Sequence, residues 1–243
     1  MRKPLLNLGF IALISLAATS CKKDSAGTSV AATSEISFAV NTDNPSVTLD
    51  AVNGPVIQST GTNALTAGVT WTSGIANIAQ FKLEAKKNGV EKEVSTSNLT
   101  NVDLLAAIPA FVKANIDTGT YKEIELRILL VKSTGTDIPL TLKGTFTSKG
   151  GAVVPIEYDF NDDALIKLEA ENITVDGTNN VTAGADMHLN KLLFGITSAQ
   201  IDAATRTGGT IVISSTSNPA LYAKIKLNVL LAFAARHFEK HHK

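Results

Sequence analysis

Between residues 78 and 86 apolar and polar side chains alternate: Ile78, Phe81, Leu83 and Ala85 against Gln80, Lys82, Glu84 and Lys86, with one slip near Ala79. A period of two sends successive side chains to opposite faces of a strand. The run meets Asn88-Gly89, the strongest short hairpin signal, and 90–95 returns from it. From Tyr121 to Val131 the alternation recurs, with Ile124, Leu126 and Ile128 opposite Glu123, Glu125 and Arg127. Segments 35–40, 47–52, 69–72, 138–147, 153–160 and 165–175 read as further strands, with turn residues such as Asn44-Pro45 between them. The spacing predicts a mainly β chain with added helices, built on an antiparallel Greek-key β-sandwich with one wet face per sheet.

Three segments carry helical signals. Thr100-Asn101-Val102-Asp103 has the form of a capping box before Leu104, Leu105, Ile108, Phe111 and Val112, with Pro109 keeping that helix short. Thr197-Ser198-Ala199-Gln200 is a second such start, for a helix to about Thr205 ahead of Gly208-Gly209. Asn218 as N-cap and Pro219 at the first helical position open a stretch free of Gly and Pro to about His241. Leu221, Ile225, Val229, Ala232 and Phe233 give it a helical stripe, and 227–235 is apolar nearly all round, as in a helix covered on more than one side. The expected organisation is a signal segment over 1–20, a tether over 21–34 and a sandwich over 35–175. A strand-helix extension over 176–243 then packs on the sandwich and ends in a long helix.

The start of the chain changes the cellular picture. Arg2 and Lys3 precede an apolar stretch over 5–18, which is too short to span a bilayer comfortably. It ends in Ala18-Thr19-Ser20-Cys21, and Cys21 is the only cysteine. This resembles the lipobox of Gram-negative lipoproteins, where the cysteine becomes the first mature residue and is lipidated; Ala18 replaces the usual large aliphatic residue. Lys22 after the cysteine resembles outer-membrane sorting. The small and polar stretch over 22–34 reads as a flexible tether. The 243 residues carry 22 basic and 22 acidic side chains, and removal of 1–20 leaves 20 against 22. With Cys21 modified, no thiol remains for a disulfide or for cysteine catalysis. No basic footprint of a nucleic-acid binder is present.

Asp117-Thr118-Gly119-Thr120-Tyr121 stands just before a strand. The D-x-G-x-Y spacing resembles the tyrosine corner of Greek-key sandwiches, in which the Tyr121 hydroxyl would bond upstream backbone at a sheet-to-sheet crossing. Together with the lipobox, the tether and Val102-Asp103-Leu104-Leu105, it resembles uncharacterised bacterial surface lipoproteins with a transthyretin-like or carboxypeptidase-regulatory-like sandwich, over about residues 35–175. Fimbrillin-type pilus lipoproteins are a more distant likeness. The resemblance implies surface binding or adhesion without catalytic residues, so it transfers no site.

Candidate chemistry is sparse. Of four histidines, His237, His241 and His242 lie in the last seven residues, and His188 sits in a strand-like segment. No nucleophile elbow, Walker loop, dinucleotide fingerprint or H-E-x-x-H motif is present. On a helix His237 and His241 would share a face, as zinc pairs do; cations suiting a helix C-terminus are the favoured alternative. Asp159, Asn161 and Asp163 give the D-x-N-x-D opening of a calcium loop, but Ala164 and Ala170 stand where its Gly and Glu belong, which excludes an EF-hand. A polar turn explains the same residues. Trp71 is either core or a glycan-stacking platform. The expectation is a non-enzymatic protein without cofactor, lipid-anchored at the outer membrane on its periplasmic face or the cell surface. Its partner is the membrane through Cys21, with a protein or glycan partner beyond that; the alternative is a glycan- or metal-binding lipoprotein.

Overall fold

The computed structural model describes residues 33–43, 45–50, 66–106, 111–235 and 239–242. All of them belong to one compact unit, Ala31–Lys243. Cys21, the signal segment and most of the tether lie outside the described residues.

The unit is a β-sandwich with a C-terminal helix. Its strands are β1 (Thr33–Asp43), β2 (Ser46–Thr48), β3 (Gly68–Lys87), β4 (Val90–Asp103), β5 (Phe111–Asp117), β6 (Gly119–Leu130) and β7 (Leu140–Thr147). After them come β8 (Val153–Phe160), β9 (Ala164–Val175), β10 (Asn179–His188), β11 (Arg206–Thr207), β12 (Thr210–Ile213), β13 (Phe233–Ala235) and β14 (Glu239–His242). Helices α1 (Leu189–Leu192) and α2 (Ser198–Asp202) follow β10, and α3 (Pro219–Ala232) follows β12. One sheet has five strands in the order β13-β10-β1-β5, with β14 also on β10. The other has nine, in the order β11-β12-β8-β7-β3-β6-β9, with β2 and β4 also on β3.

β3 is the spine of the larger sheet. It pairs with β7 along its first half and β6 along its second, and its other edge takes β2 and then β4. Its register shifts between Trp71 and Ser73 against β7, and between Ala76 and Ile78 against β4. The first shift inserts a residue into β3 and reverses its faces, while the second places the extra residue in β4. Buried positions run Val69 and Trp71, then, past the first bulge, Ala76 and Ile78, and change parity once more after Ile78 to Phe81, Leu83 and Ala85. The apparent gap between 69–72 and 78–86 is therefore one bulged strand. The hairpin to β4 turns at Asn88 (φ 50°) and Gly89 (φ 77°), two successive positive φ values as a type I′ turn requires.

The apolar faces meet in one continuous core. Ile36, Ile116, Val181 and Met187 come from the smaller sheet, and Phe81, Ile124, Leu142, Phe146, Tyr158 and Phe160 from the larger. Trp71 is 2% exposed and belongs to this core, so it offers no glycan platform.

Four expectations need correction. The helix after Thr100 does not form: β4 runs on to Asp103, whose carboxylate accepts the Leu105 N–H at 2.9 Å, and the Leu104 N–H donates to Gly74 at 2.8 Å. An aspartate that would cap a helix closes a turn by the same bond; residues 107–110 of that predicted helix lie outside the described residues. The last helix stops at Ala232 instead of near His241. Phe233 takes an extended backbone and β13 pairs with Ala185, Asp186 and Met187 of β10, where a strand edge is open. Such an edge outweighs helix propensity for an apolar segment. The boundary at 175 separates nothing, because β10, β13 and β14 complete the smaller sheet and β12 extends the larger one. The pairings are also not all antiparallel, since β1 with β10 and β12 with β8 run parallel.

Candidate functional site

The helices gather beyond β10 and β12, where short polar clasps hold them to the sheets. α2 opens with the expected capping box: Thr197 Oγ1 accepts the Gln200 N–H, and Gln200 Oε1 accepts the Thr197 N–H at 3.0 Å. Asp50 adds a second cap from β2's side, accepting the Ser198 N–H at 3.0 Å and the Ser198 hydroxyl, with the Lys149 ammonium at 2.9 Å. The Ser198 hydroxyl, followed by Lys149, holds the Asp50 carboxyl down from the ordinary 3.8 to about 2.

Asn218 precedes α3 as expected but works differently from an N-cap. It sits in the left-handed region (φ 53°) and caps no helical N–H. Its amide instead donates to Thr205 and Val212 carbonyls at 2.9 and 2.8 Å and accepts the Thr205 N–H at 2.8 Å, locking α3's start to β12 and to the residue before β11. One turn on, the Tyr222 hydroxyl donates to Asp162 at 2.7 Å, where the Lys226 ammonium also lies at 2.7 Å. Burial, followed by the bond to Asp162, raises the Tyr222 pKa, and Lys226 lowers that of Asp162 against the cost of its burial. Further along, the buried Asn228 amide donates to the Leu192 and Phe194 carbonyls at 3.0 and 2.9 Å, tying α1 and the turn after it to α3.

Between α2 and α3 these clasps leave an open groove of about 420 Å³. Ala203, Ala204, Pro219, Ala220 and Leu221 supply its apolar lining, and Gln200 and Lys224 are its polar members beside Asn218. Such a groove takes a small apolar body carrying an anionic or accepting group. Nothing in the sequence pattern marked it, since its residues come from two segments joined only by packing.

The residues singled out in the sequence fall elsewhere. The Tyr121 hydroxyl donates to the Asp117 carbonyl at 2.8 Å, at the point where the chain leaves the smaller sheet on β5 and enters the larger on β6. Gly119 between them has φ 137°, which a side chain would strain. Burial raises the Tyr121 pKa, and the Lys87 ammonium lies 5.7 Å from its ring centre. Asn161 and Asp163 fasten the loop after β6: their side-chain oxygens accept the Ser133 and Lys132 N–H groups at 2.8 and 2.7 Å. Asp159 lies within β8, where burial raises its pKa. His188, half-buried, closes β10 against Asp43 of β1, Nδ1 to Oδ2 at 2.7 Å. His237 lies outside the described residues. His241 stands on β14 opposite Asn180, so the helical spacing that would set it over His237 is not formed.

The larger sheet also carries an ordered charge pattern that alternation alone did not reveal. Register sets Glu93, Glu84, Glu125 and Glu169 in one row across β4, β3, β6 and β9, with Lys82, Arg127 and Lys167 in the next. Like charges directly opposite repel, and the basic row offsets them. Lys82 lies 2.7 Å from both Glu84 and Glu93, Arg127 is 3.0 Å from Glu84, and Arg127 also pairs with Glu125. Glu84, Glu91 and Glu93 bring carboxylate oxygens within 4.8 Å of one another. The Lys82 ammonium already supplies the cation there. Comparison with protein-family models, curated proteins and solved structures found no match for this chain.

Proposed function

We propose that this protein is a non-enzymatic, lipid-anchored binding or structural module of the outer membrane, held by an acyl group on Cys21. The observation that carries this reading is the sole cysteine closing a short apolar run, with a small polar tether between it and the compact unit. The resemblance to surface lipoproteins with transthyretin-like sandwiches points the same way. The roles of four of the perturbed ionisable groups support the non-enzymatic part. Shifted pKa values often mark catalytic sites, yet here Asp50, Tyr121, Asp162 and Tyr222 each fasten one element to another. In cells, Cys21→Ala should abolish acyl labelling and leave only membrane association that high salt extracts. Acyl labelling that survives the substitution, or membrane association as resistant to salt as the parent's, would sink the proposal.

A second reading, small-ligand binding, is favoured by the α2–α3 groove. Its apolar lining and Lys224 suit a short-chain carboxylate better than a glycan, because no aromatic side chain lines it. Octanoate should shift the NMR signals of Ala203 and Ala220, and Lys224→Ala should weaken that response. Signals that stay put at saturating octanoate would remove this reading.

A further inference from the structure

α3 is apolar on both sides. Its inward arc, Leu221, Tyr222, Ile225, Asn228, Val229 and Ala232, is buried against the sandwich. The opposite arc points into solvent, where Leu227 is 74%, Leu230 53% and Leu231 61% exposed. Phe194, whose carbonyl the Asn228 amide holds, is 75% exposed beside it. Contiguous exposed apolar surface of this kind marks an interaction site. Helical geometry puts Lys224 on one edge of the outer arc and Lys226, whose ammonium lies 2.7 Å from Asp162, on the other, and the helix contains no acid.

We infer that this outer face of α3, extended by Phe194, is a docking surface for the bilayer's anionic phospholipids. An apolar strip edged by lysine has the composition of an interfacial helix, with leucines among the acyl chains and the Lys224 ammonium at the phosphates. The helix has 14 residues and is therefore about 21 Å long, short of the roughly 30 Å hydrocarbon core, so it lies in the interface plane and does not cross. A second copy of the chain fits this face poorly. Lys226 is already paired with Asp162, which leaves Lys224 as the cation at the edge of this face, and pairing α3 with itself offers Lys224 no acid of the helix. The bilayer is at hand on the reading that Cys21 is lipidated, and Thr33 stands twelve residues after Cys21, a reach of about 40 Å. Each contact with the bilayer beyond the first acyl chain strengthens the attachment.

The test removes the anchor. The mature chain from residue 21, carrying Cys21→Ala, is mixed with vesicles of phosphatidylglycerol and phosphatidylethanolamine, and separately with phosphatidylcholine vesicles. The chain should sediment with the anionic vesicles, less with the neutral ones, and less again at high salt. Leu227→Ser with Leu231→Ser should cut the bound fraction about tenfold while circular dichroism stays unchanged, since both positions face solvent. Phe194→Ser serves as the independent variant, and Lys224→Glu should weaken binding to anionic vesicles selectively. Absence of vesicle binding, or binding that ignores these substitutions, overturns the inference. So does a concentration-dependent dimer that the leucine variant abolishes, which would place a second copy on this face. Failed vesicle binding with intact acyl labelling of Cys21 removes only the docking face. Vesicle binding without acyl labelling removes only the anchor.

Discussion

Single side chains in this protein mostly fasten one element to another. Tyr121 shows the logic: its ring fills the core and its hydroxyl donates to Asp117 at the crossing between sheets. Tyr121→Phe keeps the ring and loses one partly buried hydrogen bond, which should lower stability by about 1 kcal/mol in chemical denaturation. A midpoint within error of the parent would mean that the bond contributes nothing. Asp50 brings in pH. Its carboxyl is held down from 3.8 to about 2 by Ser198 and Lys149, so its contribution is fully present above the unfolded value. That contribution disappears as pH falls from about 3.8 through about 2. The group is exposed, so the slope should be shallow. Thermal melts of Asp50→Asn should therefore lie below the parent at pH 6 and converge with it near pH 2. Equal separation at both values would show that the clasp is not ionic.

At the scale of elements, α3 depends on polar contacts at three points along its length. Asn218, Tyr222 and Asn228 bond in turn to the segments around β11 and β12, to the turn after β8, and to α1 with its following turn. Asn228 is the most consequential, because it is buried and satisfies two carbonyls. Asn228→Ala leaves both without a donor and should cost about 2 kcal/mol. Amide exchange should speed up first around Phe194 and Ile196 while β6 and β7 stay protected. Uniform acceleration across the sandwich would indicate instead that α1 and α3 unfold only with the whole. The same element explains why the helical stripe could be read from sequence while its outer face could not. The expected cover on more than one side of 227–235 is not found, because an all-round apolar pattern shows no sidedness and only packing decides that Ile225 goes inward while Leu227 and Leu230 stay out.

For the molecule as a whole, the last residues are part of the sandwich. A chain ending after Asn218 loses Leu221, Tyr222, Ile225 and Val229 from the core. At about 1.5–3 kcal/mol for each large buried side chain, that loss is comparable with the ~5–15 kcal/mol stability of a domain. It should yield an aggregating, protease-sensitive product. A chain ending after Ala232 keeps α3 but strips β13 and β14 from β10. The bared edge should promote self-association, which light scattering would detect in a product that retains its circular dichroism. Cooperative melting of the chain ending after Asn218 near the full-length temperature would make α3 an appendage and overturn this account of the core.

Local rules were legible wherever a short stretch decides its own structure. The alternation at 153–160 marks β8, Asn88-Gly89 marks the hairpin from β3 to β4, Thr197-Ser198-Ala199-Gln200 marks the start of α2, and D-x-G-x-Y marks the bond from Tyr121 to Asp117. Each rests on backbone geometry or hydrogen bonds spanning a few residues. The turn at Asp103, the stop at Ala232 and the parallel pairing of β1 with β10 were settled by partners distant in the chain. Asp103 can cap a helix or close a turn, and Phe233 can extend a helix or a sheet, at similar local cost. The groove between α2 and α3 and the outward leucines likewise arise only once separate segments pack, because burial is a property of neighbours and no residue carries it alone.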